Sequence, residues 1–234
     1  LNESVKVQSD NKQTHLSMFL KAKALEEEGK KIIHLEVGEP DFKPPKEVKT
    51  ALAEVYDEGY GKYGSPKGIM ELRKALAAGK NTSNVPTSEE NIMICPGARF
   101  GVYLAITTLL NPGDEIIVIE PAWPAYKDCA LNAGVKVRTI KTTLETEWEP
   151  SYEQINNVIN ENTKMIVVNY PNNPTGKLIG RVFDKIINTA EKHDLYVLSD
   201  EIYEEYDTRT EKEYKYSSFL ELNYKKTIIT QSFS

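Results

Sequence analysis

Met165-Ile-Val-Val-Asn-Tyr-Pro-Asn-Asn-Pro-Thr-Gly176 is the stretch on which the fold turns. Met165 to Val168 is a short apolar, β-branched run, the pattern of a strand buried on both faces. It stops at Asn169-Tyr-Pro-Asn-Asn-Pro-Thr-Gly176, a cluster of turn formers that cannot prolong a strand. In open parallel sheets, ligands sit just beyond the carboxyl ends of such strands. Two asparagine amides placed there can donate and accept hydrogen bonds toward a polar small molecule. Asn173-Pro174 is a candidate cis peptide, because X-Pro bonds tolerate that isomer cheaply and tight turns use it. Alone, the stretch is an ordinary strand-to-helix loop. Other stretches of the same form change its weight.

Downstream, a helix is expected from Ile179 to Lys192, then a strand from Leu195 to Leu198 that ends in Ser199-Asp-Glu-Ile-Tyr203. Thr227 to Thr230 reads as a strand ending in Gln231-Ser-Phe-Ser234. Upstream, Glu115 to Ile119 is a strand ending in Glu120-Pro-Ala-Trp-Pro-Ala-Tyr126 and a helix. Val135 to Ile140 follows as a strand and Tyr152 to Ile159 as a helix. Asn91 to Cys95 is expected to be a strand, Pro96-Gly-Ala-Arg99 a turn and Phe100 to Leu110 an apolar helix. Before these, residues 1–13 read as a polar arm, Leu16 to Glu28 as a helix stopped by Gly29, and Ile32 to Val37 as a strand. Gly38-Glu-Pro-Asp-Phe42 is a loop, and Pro44-Pro45 opens a helix to about Asp57. The loop Gly59 to Gly68, with Tyr60 and Tyr63, leads into a helix from Ile69 to about Gly79. Strands and helices alternating at this spacing predict an α/β fold, a mostly parallel doubly wound sheet flanked by helices. Its expected division is residues 1–45, an arm and part of a small domain, and residues 46–234, a large ligand-binding domain.

The 234 residues carry 29 Lys and Arg against 35 Asp and Glu, a net charge of −6, with no basic block. Nucleic acid and anionic membrane are therefore excluded as expected partners. Cys95 and Cys129 stand apart with no Cys-x-x-Cys spacing, which points to a reducing compartment and away from disulfides or structural zinc. His15, His34 and His193 are scattered, so no metal site is expected. No apolar run reaches membrane-spanning length and residues 1–17 lack a signal-type core, so the expected location is cytoplasmic.

The strand ends carry the chemistry. Gly97-Ala98-Arg99 stands between strand and helix, where free amides and the helix dipole favour a phosphate. Trp123, between two prolines, can stack on a flat ring. Asp200 follows a buried strand, and a carboxylate there requires a partner, which a protonated ring nitrogen would supply. Tyr203 lies three residues on and can hydrogen-bond the same ligand. Ser232 adds a hydroxyl suited to phosphate oxygens. A ligand with a phosphate, a flat ring, a basic ring nitrogen and a polar ring substituent is implied, and pyridoxal 5'-phosphate has all four.

Six stretches in this order extend that reading: Gly38-Glu-Pro-Asp-Phe42, Tyr63-Gly-Ser-Pro-Lys-Gly-Ile-Met-Glu-Leu-Arg73, Pro112-Gly-Asp-Glu-Ile116, Asn172-Asn-Pro-Thr-Gly176, Ser199-Asp-Glu-Ile-Tyr203 and Gln231-Ser-Phe-Ser234. With them the chain resembles the class I (fold type I) pyridoxal-phosphate aminotransferases, the aspartate-type branch in particular, over essentially its whole length. The resemblance implies that Asp200 keeps the pyridine nitrogen protonated, making the ring an electron sink. It implies that Asn173 and Tyr203 hydrogen-bond the phenolic oxygen, that Trp123 stacks on the ring, and that the Ala98 and Arg99 amides with Ser232 hold the phosphate. Asp200 and Tyr203 are the catalytic candidates. Gly38, Trp123 and Asn173 are expected to meet the substrate, an amino acid or a 2-oxo acid. Tyr63 is expected to reach the phosphate of a neighbouring subunit, which implies a homodimer with shared sites. The resemblance also places the Schiff-base lysine directly after Ser234, with later phosphate- and carboxylate-binding arginines beyond it. A chain break at a lysine already joined to the cofactor is the expectation there.

Two other functions use the same residues. A C–S lyase of this fold shares the cofactor, and release of ammonia and pyruvate without an acceptor oxo acid distinguishes it. A non-catalytic binding module of this fold follows if the lysine is truly lacking. A nicotinamide dehydrogenase is disfavoured because no Gly-x-Gly-x-x-Gly follows the early strands.

Overall fold

The computed structural model describes residues 15–35, 38, 40, 42–59, 61–80, 85–178, 182–206 and 218–233. Several expectations lie outside them: the arm at 1–13, the end of the strand Ile32–Val37, Glu39 and Asp41, Tyr60, the start of the helix at Ile179, and Ser234. The chain divides into two compact units, Leu1–Tyr63 and Gly64–Ser234, each described by itself.

The first unit contains α1 (His15–Glu27) and α2 (Lys46–Asp57). Pro45 stands immediately before α2, where its fixed φ suits a helix start and its missing N–H costs nothing. The strand expected from Ile32 is not formed by Ile32–Leu35, and the side chains of Ile33 and Leu35 are exposed. A strand requires a ladder partner, and among the described residues this unit offers none.

The second unit contains α3 (Met70–Lys80), α4 (Ala98–Leu109), β1 (Glu115–Glu120), α5 (Ala125–Asn132), β2 (Lys136–Lys141), α6 (Tyr152–Asn157), β3 (Thr163–Asn169), α7 (Val182–His193), β4 (Tyr196–Asp200) and β5 (Thr227–Thr230). The sheet has five strands in the order β2-β1-β3-β4-β5, all parallel. Alternation along each strand sorts the side chains into two cores. Ile116, Val118, Met165, Val167 and Leu198 face Val102 and Ile106 of α4 and Ala130 of α5. Ile117, Ile119, Ile166, Val168 and Val197 face Ile155 of α6, Phe183 and Ile186 of α7, and Phe219. Helices cover both faces, so the middles of β1, β3 and β4 are apolar runs, as the opening stretch indicates. The doubly wound parallel sheet expected from the sequence is the sheet observed.

The expected strand Asn91–Cys95 is corrected. Glu89–Asn91 forms a 3-10 turn, and Ile92–Cys95 is extended but outside the sheet. The Ile94 amide donates instead to Lys67 O at 2.9 Å. Gly68 makes this pairing feasible. Its φ is +96°, and a Cβ there would lie 2.6 Å from Ile94 Cβ and closer still to Cγ1. The turn Ser65–Gly68 that ends the glycine-rich loop is thus packed backbone-first onto Ile94.

The chain passes from β1 outward to β2, then back across β1 to β3, which creates a switch point between β1 and β3. The two loops leaving those strands are Pro121–Pro124 and Tyr170–Lys177. Asn172 bridges them, its amide nitrogen lying 3.4 Å from Pro121 O.

Candidate cofactor site

Asp200 ends β4 and is 2% exposed. Its Oδ2 accepts from the Tyr126 hydroxyl at 2.6 Å, and its Oδ1 lies 3.4 Å from the Ile202 amide. Burial pushes this carboxyl above the usual range, and the Tyr126 hydrogen bond and the Ile202 amide pull against it. Burial, and then the adjacent Asp200 carboxylate, hold the Tyr126 phenol protonated far above its ordinary value. A buried acid with a single strong donor is a place where an added cation relieves a desolvation cost.

Tyr126 is positioned by α5, one helical turn beyond Trp123. The two rings meet edge to face, with centroids 5.5 Å apart and planes at 85°. The Arg99 guanidinium lies 5.4 Å from the centre of the Trp123 ring, within cation–π range. Asp200, Tyr126, Trp123 and Arg99 therefore form a connected series.

Asn173 and Tyr203 are brought together as well, the Asn173 side-chain amide standing 3.3 Å from the Tyr203 hydroxyl. Asn169 sets their frame. Its side-chain nitrogen donates to Asp200 O at 2.9 Å and Pro171 O at 3.3 Å, and its oxygen accepts from the Asn173 amide at 2.8 Å. Asn172 faces inward to its own loop, accepting from the Thr175 amide and hydroxyl. The amides of Asn172, Gly176 and Lys177 are bonded to Lys177 O, Asn172 O and the Thr175 hydroxyl. Every amide from residue 171 to 177 thus has an acceptor, the two prolines having none to satisfy. Asn173-Pro174 is cis, as are Glu120-Pro121 and Tyr170-Pro171.

Ala98 and Arg99 are the first two residues of α4, and no side chain caps this end because Gly97 offers none. Their N–H groups have no acceptor within the helix and point beyond its N-terminus, the geometry that binds anions. α4 packs on β4 and β5. Gly101 permits a close approach, since a Cβ there would lie 3.3 Å from Thr230 Cγ2. Thr230 pairs with Asp200, and Ser232 follows two residues later. Gly38 and Tyr63 belong to the first unit, and Tyr63 is fully exposed there.

The donor set suits pyridoxal phosphate: an uncapped helix end and a nearby hydroxyl for the phosphate, an aromatic face, a paired amide and phenol, and a buried acid for a basic nitrogen. Sequence reasoning missed Tyr126 and Asn169. The first is signalled by its one-turn spacing from Trp123. The second is signalled by its place as the polar residue that ends the apolar run Met165–Val168.

Glu201, beside Asp200, points to the opposite core. Its Oε1 accepts from the Ser199 hydroxyl at 2.9 Å and the Phe219 amide at 2.8 Å. Burial raises its carboxyl to about 7 against hydrogen bonds from Ser218, Phe219 and Ser199, and Glu204 adds to the rise. The folded protein therefore binds this proton more tightly than the unfolded chain. Stability is full below about pH 4.5, falls as pH rises to about 7 and is level beyond, a loss of about 3 kcal/mol. In denaturation series across that range, Glu201→Gln, which keeps the acceptor oxygen, is expected to remove this slope. An unchanged slope in the variant refutes the assignment.

A family model for aminotransferase class I and II matches residues 30–234, and the chain belongs to that family. Members of this family are pyridoxal-phosphate dependent. The aspartate aminotransferase of Pyrococcus horikoshii is 38% identical over 219 residues, covering 93% of this chain and 54% of that protein. The aspartate/prephenate aminotransferase of Thermus thermophilus is 36% identical over 86% of this chain and 53% of its own. The solved structure of Thermus thermophilus aspartate aminotransferase with maleate superimposes with a TM-score of 0.90 at 32% identity, covering all of this chain and 61% of that one. The chain spans about half the length of the curated relatives it matches.

Proposed function

We propose that the full-length protein is a pyridoxal-phosphate-dependent aminotransferase that moves an amino group from an L-amino acid, aspartate by default, to a 2-oxo acid. The observation that carries this is Asp200, a buried acid at the carboxyl edge of the sheet, held by Tyr126 and awaiting a cation. When bound, pyridoxal phosphate supplies an electron sink for charge developing at the substrate Cα. Asp200 holds a proton at the pyridine nitrogen. Asn173 and Tyr203 bind the phenolic oxygen and orient the ring, and Trp123 covers its face and excludes water. The Ala98 and Arg99 amides and the Ser232 hydroxyl take the phosphate. Gly38 and Asn173 meet the substrate carboxylate.

Aspartate is favoured by the names of the relatives. A homodimer, with Tyr63 reaching across to the neighbouring site, accords with the exposure of that residue. We assign residues 46–234 to the cofactor-binding domain and residues 1–45 to the arm and part of a smaller domain. A cytoplasmic location accords with two free cysteines and with the lack, among the described residues, of a helix long and apolar enough to cross a membrane.

The test is to supply the full-length protein with pyridoxal phosphate, L-aspartate and 2-oxoglutarate and to follow oxaloacetate and glutamate. Stoichiometric formation of both supports the reading. With an S-substituted L-cysteine and no acceptor oxo acid, release of ammonia, pyruvate and the thiol would instead identify a C–S lyase. Tyr126→Phe keeps the ring and deletes the 2.6 Å hydrogen bond to Asp200. Loss of one hydrogen bond to a charged group is expected to raise the dissociation constant for pyridoxal phosphate about tenfold. Affinity equal to wild type in a fluorescence titration contradicts that role.

A further inference from the structure

Glu204 has no part in the site just described, yet its carboxylate ties three segments of the second unit together. It follows Tyr203 directly and opens the 3-10 turn Glu204–Tyr206. Lys80, the last residue of α3, places its Nζ 2.9 Å from Oε1 and 2.6 Å from Oε2. Gln231 Nε2 donates to the same Oε2. Gln231 is the immediate neighbour of Ser232. One rung below, the Glu201 amide donates to Thr230 O at 2.9 Å, so the exits of β4 and β5 are already side by side. Glu204 fastens them at the next step. A carboxylate suits this position because it accepts several hydrogen bonds and donates none, taking an ammonium and an amide together. Both charged side chains are about three-quarters buried, which shields the pair from solvent screening.

We propose that Glu204 is a positioning residue that holds the Ser232 segment against the Tyr203 segment, so that the cofactor's phosphate and ring are gripped by one frame. This rests on the pyridoxal-phosphate reading of the site. Lys80 anchors that frame to α3, and Gln231 transmits it to Ser232.

The experiment uses the full-length protein freed of cofactor. Dissociation constants are measured for pyridoxal phosphate and for pyridoxal, which lacks the phosphate, and the pyridoxal constant divided by the pyridoxal phosphate constant reports the phosphate grip. Glu204→Ala is expected to lower that ratio about five- to tenfold, the range of one charge-assisted hydrogen bond. Gln231→Ala cuts the same link from an exposed residue that carries no core packing and is expected to lower it as well, which covers a Glu204 variant that fails to fold. In Glu204→Ala/Ser232→Ala the ratio is expected to match that of Ser232→Ala alone, because the two changes remove one grip. An unchanged ratio in Gln231→Ala or Glu204→Ala, or additive losses in the double variant, overturns the proposal even if the melting temperature falls. A wild-type protein that does not take up pyridoxal phosphate overturns the cofactor reading itself, a result distinct from either of these.

Discussion

Replacing Asp200 with asparagine is expected to lower aminotransfer by the full-length protein about 10²- to 10³-fold, the usual effect of deleting one preorganised electrostatic partner. The fold is expected to survive. In the free protein burial already disfavours the ionised carboxylate, and a neutral amide of the same shape removes that cost while keeping an oxygen for the Tyr126 hydroxyl. The loss therefore arises at the pyridine nitrogen, which an amide cannot hold protonated. Steady-state rates beside a melting curve separate the two effects. Activity within a few-fold of wild type would remove Asp200 from the mechanism. A protein that unfolds would show instead that the carboxylate is structural.

The second large effect concerns stability. Gly68→Ala is expected to cost about 3–5 kcal/mol, combining a left-handed backbone that alanine resists with overpacking against Ile94. The new methyl would meet Ile94 Cβ at 2.6 Å, and Cβ is fixed to the backbone, so a rotamer change gives no relief. The turn from Ser65 to Gly68 and the Lys67–Ile94 hydrogen bond would have to open. Urea denaturation of Gly68→Ala, Ile94→Gly and Gly68→Ala/Ile94→Gly measures both parts: with no Cβ at position 94, adding Gly68→Ala to Ile94→Gly should cost the backbone strain alone. A loss under about 1 kcal/mol in Gly68→Ala alone would mean that the neighbour yields easily.

These two sites show what the sequence makes legible. Asp200 was readable because an acid at the end of a buried strand is costly unless matched, and the reading needs no partner to be known in advance. The central strands β1, β3 and β4 were readable for a related reason: helices on both sides leave apolar runs in their interiors, while β2, at the edge, alternates charged and apolar residues. Ile92–Cys95 has that same look and is no strand of the sheet, because ladder membership depends on a partner that short-range pattern does not specify. Tyr126 was passed over for a comparable reason. Its hydroxyl finds Asp200 from 74 positions away, a pairing created by the packing of α5 on the sheet. Asn169 shows the same limit, since its bond to Asp200 O exists only once β3 and β4 lie side by side.

The segment after β3 is irregular in outline, yet each of its amides between residues 171 and 177 is bonded. In exchange experiments the amides of such a segment are expected to be protected like those of a sheet, whether or not a small molecule is present. The conformational entropy of ordering it is surrendered during folding, before any ligand arrives. Association at the Asn173 rim is then a docking of rigid surfaces, and the adaptability that lets one protein of this kind accept two different acids has to come from some other wall of the pocket.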